Sequence, residues 1–562
     1  MSDPIRTHPE IAVQGVQSKR PGWLDFATSS DHKDVGRIFI GAALGFLALA
    51  VVEFFLMRLQ LMLPDNTLIA PVTFNRLLSV FGVTMTSLFA LPLAMGLITY
   101  LLPLQLGARS LAFPRLSVVA LWLFLSGGVM TYVSFFYTPP EAGPIALPPL
   151  SGDLAFIDNN GTDVWISAVG LSTLGLVLQA INVIVTASRE RAPGMAWRRF
   201  PVFSFSGVVT SWLLLIVGPA MIAGLTMLII DRHYGGVFFN AGESGSPTYF
   251  EHLSSIFTTG VYLIVLITAI GVISEILQTF TGRPLANRRA VLRSLVAVAV
   301  LGTLAWMQNM MSAEIRPGFL YAAMAFALAL IVPIGIVIWN WLGVLASGSI
   351  KMRAPVVYAI GAVSLLSIGL AGEMMQSLIP VNWLLAGTTD STAGTGLVLI
   401  GGSVMAGFAG LHYWLPKMTG REVGEGAGKV FAALIYLSTV VIAACFYLAG
   451  LEGQPADTYR FFEGQGLDTY NLIASIASVF LMLGVLGGLT NLTLGVNHGR
   501  RVGHDPWGGS TLEWFALSPP PPHNFDLVPD VRSSEPMYDI RRGVARDSAG
   551  AAEAAKSPEP VA

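Results

Sequence analysis

Imidazole suits both iron and copper inside a protein, so the eight histidines of this 562-residue chain are the first residues to place. They are His8, His32, His233, His252, His412, His498, His504 and His523, and all fall in tails, loops or the ends of apolar runs. No histidine lies deep in a membrane-length run, so no intramembrane metal site built on imidazole is expected. The single cysteine, Cys445, excludes an internal disulfide and any multi-cysteine metal site. Inside or at the ends of the apolar runs stand a few ionisable groups: Glu53, Arg58, Glu275, Glu373 and Asp390. A carboxylate at membrane depth is a functional candidate by default, and Glu373 in LSIGLAGEMMQSLIP is the candidate for proton or ion handling. Glu53 and Arg58 are expected to form a structural ion pair, because charge near lipid needs a partner. Glu275 reads as a snorkelling residue or a link to a neighbour, and Asp390 as a capping or surface-exposed residue. Met307, Met310, Met311, Met374 and Met375 read as core filler rather than copper(I) ligands. His412 reads as a satisfied interfacial residue. No phosphate-cradling loop, nucleophile elbow or zinc signature is present.

The elements that must position these residues are membrane helices. Hydrophobic residues make up 53% of the chain and charged ones 12%, about half the charged share of a soluble domain. Twelve apolar runs are long enough to cross a bilayer, near 36–57, 79–103, 115–137, 163–187, 205–231, 255–279, 290–311, 317–346, 355–378, 386–415, 428–450 and 470–495. Backbone groups in lipid must be satisfied within their own segment, so these runs predict an all-α bundle of twelve transmembrane helices. Arginine and lysine concentrate in the loops after even-numbered spans, among them Arg189, Arg191, Arg198, Arg199, Arg283, Arg288, Arg289 and Arg293. That bias predicts cytoplasmic termini. The net charge of −2 by itself says nothing about partners; the expected partner is the lipid bilayer, with no nucleic acid. Residues 1–30 read as a polar cytoplasmic segment and 31–510 as one membrane domain. Residues 511–562 read as a cytoplasmic tail, disordered after about 530.

Several segments resemble subunit I of the haem-copper oxidases, especially the cytochrome c oxidase branch. SSDHKDVGRIFI precedes the first span, MRLQLMLPDNTLI and PLQLGARSLAFPRL flank the first hairpin, and IIDRHYGGVFFNAGESGSPTYFEHL precedes the sixth span. YWLPKMTGR ends the tenth span and DPWGGSTLEWFALSPPPPHNF closes the membrane domain. The blocks occur in order and cover nearly the whole chain. The resemblance implies the subunit I bundle, a bacterial plasma-membrane location, and partners like oxidase subunits II and III. For the family it implies haem a, haem a3 and copper as cofactors.

The same resemblance implies that the ligand positions of this chain are vacated. The family's low-spin haem histidines fall on Phe81 and Gly396, and its high-spin haem histidine on Gly394. Its copper histidines fall on Thr259, Gln308 and Asn309; amides hydrogen-bond but are poor copper ligands. The proton-relaying glutamate falls on Val261 and the cross-linked tyrosine on Leu263. Tyr262 lies one residue off, about 100° round the helix. The channel groups fall on Ser110 and Val337, the propionate-gripping arginines on Ala456 and Asp457, and the outer magnesium pair on Ala386 and Gly387. Phe81 is expected to fill part of a haem-sized void. Gly394 and Gly396 are expected to allow close backbone approach, so that helices collapse into the vacated volume. No catalytic, cofactor or metal residue is therefore predicted.

Three functions remain open on the sequence. One is a cofactor-free accessory, assembly or regulatory subunit of a respiratory-chain complex. A second is an active oxygen-reducing, proton-pumping oxidase whose ligands are supplied unusually. A third is an ion or proton permease using Gln308, Asn309, Thr259 and Thr395, with Glu373 near its mouth.

Overall fold

Apolar side chains all round, with charge confined to the ends, leave the backbone of these runs no partner but itself, and they form helices. The computed structural model describes residues 26–134, 143, 146–152, 160–310, 316–525, 528 and 531–543. Among the described residues twelve long helices follow the expected order. They are α1 His32–Gln60, α2 Pro71–Leu106, α3 Pro114–Val133, α4 Asn160–Arg189, α5 Val202–His233 and α6 Pro247–Thr281. After these come α7 Arg288–Leu304, α8 Pro317–Ser347, α9 Ala354–Gln376, α10 Thr389–Thr419, α11 Glu425–Leu451 and α12 Asp468–His498. Eleven are long and apolar enough to cross a membrane. The exception is α7, whose 17 residues end at Leu304 and give way to a 3₁₀ turn, Trp306–Met310. The expected continuous seventh run to 311 is therefore shorter than the sequence suggested. No strand occurs among the described residues, only two isolated bridges, Thr388 with Pro455 and Arg421 with Arg501.

Most sequential helices pack against each other, α3 with α4, α5 with α6 and α11 with α12 most extensively, and α12 returns against α1. The central helices are α2, α6 and α10, buried over 78%, 83% and 78% of their apolar windows, whereas α8 is buried over only 28%. Small residues let the helices approach. A methyl on Gly175 of α4 would stand 2.5 Å from the Ala120 carbonyl of α3, so that seam admits only glycine. Two π-helical stretches interrupt central helices, Thr84–Ala90 in α2 and Ile400–Met405 in α10. Such stretches are frequent where helices bend around functional sites.

The segment after α12 is not a free tail. Leu512, Glu513, Trp514, Phe525, Val531 and Met537 are buried in the main core. Trp507 donates to the Tyr413 carbonyl at 2.9 Å, and Trp514 donates to the Tyr413 hydroxyl at 3.2 Å. Lys417, at the end of α10, donates to the carbonyls of His504 and Ala516 at 2.8 and 2.6 Å. The segment after 510 is thus packed against the helical bundle. Residues 531–543 are folded rather than disordered, because their apolar side chains have a core to join. The expected disorder beyond 543, and most of the 1–30 segment, lie outside the described residues.

Candidate functional site

Six helices leave a cavity of about 360 Å³ between them. Its walls are largely apolar: Phe54 from α1, Phe81 and Met85 from α2, Leu397 from α10, Phe446 from α11 and Val485 from α12. Phe81 stacks on Phe54 with ring centroids 5.8 Å apart. A thin polar strip runs through it, made by Thr86, Thr258, Tyr262, Thr392, Thr395 and Thr439. The Tyr262 hydroxyl faces Thr395, and Thr395 donates to the Ser391 carbonyl at 2.9 Å. From Gly260 to Leu277 every residue of α6 is buried except Tyr262, which opens onto the cavity. Asp457, in the α11–α12 loop, is the exposed acid at its mouth.

Of the six positions singled out by the resemblance, two meet at this cavity, Phe81 and Gly396. Gly396 departs from the expected close approach: a Cβ built on it meets nothing within 4 Å, so the helices have not collapsed there. Gly394, two residues away, faces elsewhere. A Cβ on it would stand 2.8 Å from Oε1 of Glu373, and a Cβ on Gly369 of α9 would stand 3.0 Å from the Gly394 carbonyl, so at this position the two backbones do approach closely. Thr259 is adjacent to the cavity-lining Thr258 but does not line it. Gln308 and Asn309 sit in the 3₁₀ turn after α7, beside Trp306, whose ring meets His252 edge-on at 5.1 Å. Leu263, next to Tyr262, packs onto Gly302 of α7. Among the described residues no three of His, Cys, Asp and Glu come together as a metal-binding group.

The expected Glu53–Arg58 ion pair does not form. Five residues on a helix are separated by about 140° around its axis, and the two side chains go to different neighbours. Tyr132 donates to Glu53 at 3.0 Å, and the Tyr132 and Thr84 hydroxyls lie 2.9 Å apart. Arg58 donates to the Asn471 carbonyl and side chain, both at 3.0 Å, and to Ser475 at 3.3 Å. Its guanidinium lies 5.2 Å from the centroid of the Phe446 ring. Asp390 does not cap α10: Thr388 does, accepting from the Asp390 amide, and Asp390 accepts from Gln376. Glu275 links to a neighbour, accepting from the Phe203 amide at 3.3 Å. His412 is buried, at 3% exposure, rather than interfacial. Its Nδ1 lies 2.8 Å from the Phe408 carbonyl, and its ring packs on Tyr358.

Sequence reasoning missed that Tyr262, Thr258, Thr392 and Thr439 share one cavity. Thr258 and Tyr262 are four apart, so they stack on one face of α6; that spacing was the available signal.

Eleven membrane-length helices with a polar-striped interior cavity define a multi-pass integral membrane protein. Residues 34–480 match the family described as cytochrome c and quinol oxidase polypeptide I. The cytochrome c oxidase subunit 1 of Bacillus subtilis is 32% identical over 92% of this chain and 82% of its own length. A Streptomyces coelicolor protein, named a putative cytochrome c oxidase subunit 1-beta, is 34% identical over 92% and 90%. The fold of a solved haem-copper terminal oxidase dimer superposes with a TM-score of 0.72 at 14% identity, covering 83% of this chain and 85% of that one. The chain belongs to the haem-copper oxidase subunit I family.

Proposed function

We propose that this chain is a subunit I scaffold without haem or copper of its own. It serves as an accessory, assembly or regulatory subunit of a respiratory-chain complex, beside subunit II- and III-like partners. On this reading α7 supplies a twelfth crossing and both termini are cytoplasmic. The observation that carries it is the cavity shared by Phe81 and Gly396, the two positions where the family's low-spin haem histidines fall.

The residues around that cavity do not fit a haem. Phenylalanine and glycine offer iron no lone pair. No histidine lines the cavity, and the lone thioether of Met85 has no imidazole to pair with across it. Propionates would meet the Asp457 carboxylate, where the family has an arginine. For copper, Thr259, Gln308 and Asn309 offer a hydroxyl and two amides, which are weak ligands.

The names of the relatives favour a second reading, an active oxidase whose ligands come from elsewhere. A reduced-minus-oxidised absorption spectrum of the purified protein separates the two, with iron and copper counted per chain. A colourless, metal-free protein is the expected result. Stoichiometric haem overturns the proposal.

A further inference from the structure

We infer that the cavity between α1, α2, α6, α10, α11 and α12 binds the hydrocarbon tail of an amphiphile whose head carries no net negative charge. The inference rests on the proposed absence of haem, since one volume cannot hold both.

The lining dictates the class of occupant. A water needs two to four polar partners to settle in a cavity, and the hydroxyls here are few. Thr395 is already bonded to the backbone of its own helix, and Tyr262 faces it. The remaining wall is aliphatic and aromatic, including Phe54, Phe81 and Phe446. Water therefore fills the volume poorly and hydrocarbon fills it well. The cavity's 360 Å³ falls within the range of small-molecule sites, which are apolar with a few placed polar groups. Its lining runs from Thr392 to Val404 along α10, roughly 18 Å at 1.5 Å per residue. That is a slot for a chain rather than a compact solute.

The mouth dictates the head. Asp457 is exposed there and repels anions. The nearby cation, Arg58, is engaged by Asn471 and Ser475 and turned onto Phe446. Zwitterionic phospholipids and isoprenoid quinones share the required chemistry, a long tail under a head without net charge.

Gly396 offers a clean test, because its missing side chain points into open space. Full-length protein, stripped of lipid in detergent, is offered a zwitterionic phosphatidylethanolamine, a long-chain isoprenoid quinone or an anionic phosphatidylglycerol, and the adducts are counted by native mass spectrometry. Gly396→Leu fills the cavity from α10 and Ala443→Leu from α11. Gly335→Leu, on the exposed side of α8, is the control. Wild type and Gly335→Leu are expected to hold phosphatidylethanolamine or quinone, whichever is the source, about tenfold more tightly than either cavity variant. Should one cavity variant fail to fold, the other carries the comparison. Equal retention by all four proteins overturns the inference, as does a preference for phosphatidylglycerol. A colourless protein that binds none of the three overturns this inference alone. Haem in the extract of untreated protein overturns the proposed function as well.

Discussion

Replacing Glu513 tests how the segment after α12 is held to the bundle. Glu513 is fully buried, and its Oε1 accepts from Gln105 of α2 at 3.0 Å and from Trp414 of α10 at 3.1 Å. Gln105 in turn accepts from Ser204 of α5 at 2.6 Å. One carboxylate thus ties three helices to the C-terminal segment. Leucine would leave the Gln105 and Trp414 donors buried and unpaired, at about 1–3 kcal/mol each, so Glu513→Leu is expected to cost about 4 kcal/mol. With about 2.1 cal/mol/K of unfolding entropy per residue over 562 residues, that is a fall of roughly 3–4 °C in the unfolding midpoint. Glu513→Gln keeps an acceptor oxygen and should lose about 1 kcal/mol or less. Burial pushes the Glu513 carboxyl above its usual range, against the hydrogen bonds that pull it down. A raised acid binds its proton more tightly in the folded state. Its contribution to stability is therefore full below the ordinary glutamate pKa, about 4.3, and is lost as pH rises through the raised value. The wild-type midpoint minus that of Glu513→Gln should then fall as the pH goes from about 5 to 8. The assay is thermal unfolding of detergent-purified protein followed by size-exclusion survival. A loss under about 1 kcal/mol in Glu513→Leu, or a wild-type advantage that grows with pH, refutes the reasoning.

Gly175→Val should abolish most folded protein, because the Ala120 carbonyl and Phe124 amide of α3 leave no room for a side chain; near-normal yield by fluorescence-detected chromatography refutes that seam. In a cycle of Gly394→Ala and Glu373→Ala, the pair should couple by about 0.5–3 kcal/mol, since the added methyl and the carboxylate compete for one space; additive midpoints would show that the contact is absent. Asp163→Ala removes the 2.7 Å partner of the buried Arg232 and the 2.9 Å partner of His233. It should cost about 3 kcal/mol, read as a midpoint fall of about 2–3 °C. Oxygen uptake with reduced cytochrome c is expected at background level, and catalytic turnover with stoichiometric metal would refute the proposed function.

The helices were legible because lipid permits a long apolar run almost nothing else. The end of α7 was not, because Trp306, Met307 and Met310 carry the apolar run past the amides of Gln308 and Asn309 while the backbone tightens into a 3₁₀ turn. The buried segment after α12 was obscured by its prolines and charges, which read as solvent-exposed until Trp507 and Trp514 are seen seated on Tyr413. Glu53 and Arg58 misled because proximity in sequence stood in for a shared helix face. The cavity was only half legible. Phe81 and Gly396 were marked by the resemblance, but the tyrosine and threonines that join them come from helices whose facing no single sequence discloses.

Gly394 and Gly396 lie two residues apart on one helix, yet their surroundings differ. At Gly394 a carboxylate from α9 occupies the space a side chain would take; at Gly396 nothing does. A bundle under pressure only to pack would close both, since an open void is costly. Closing the second would require α10 to move toward α1 and α12. Those helices are pinned by the Arg58–Asn471–Gln454 network, where Asn471 and Gln454 exchange hydrogen bonds at 2.9 and 3.2 Å. Phe446, under the Arg58 guanidinium, is part of the same wall. Polar contacts at one end of the bundle thus hold the helices that wall the cavity. An Arg58→Met variant tests that hold. It removes the pin while keeping an apolar stem, and it should narrow the cavity and weaken hydrocarbon binding without any change at Gly396 itself.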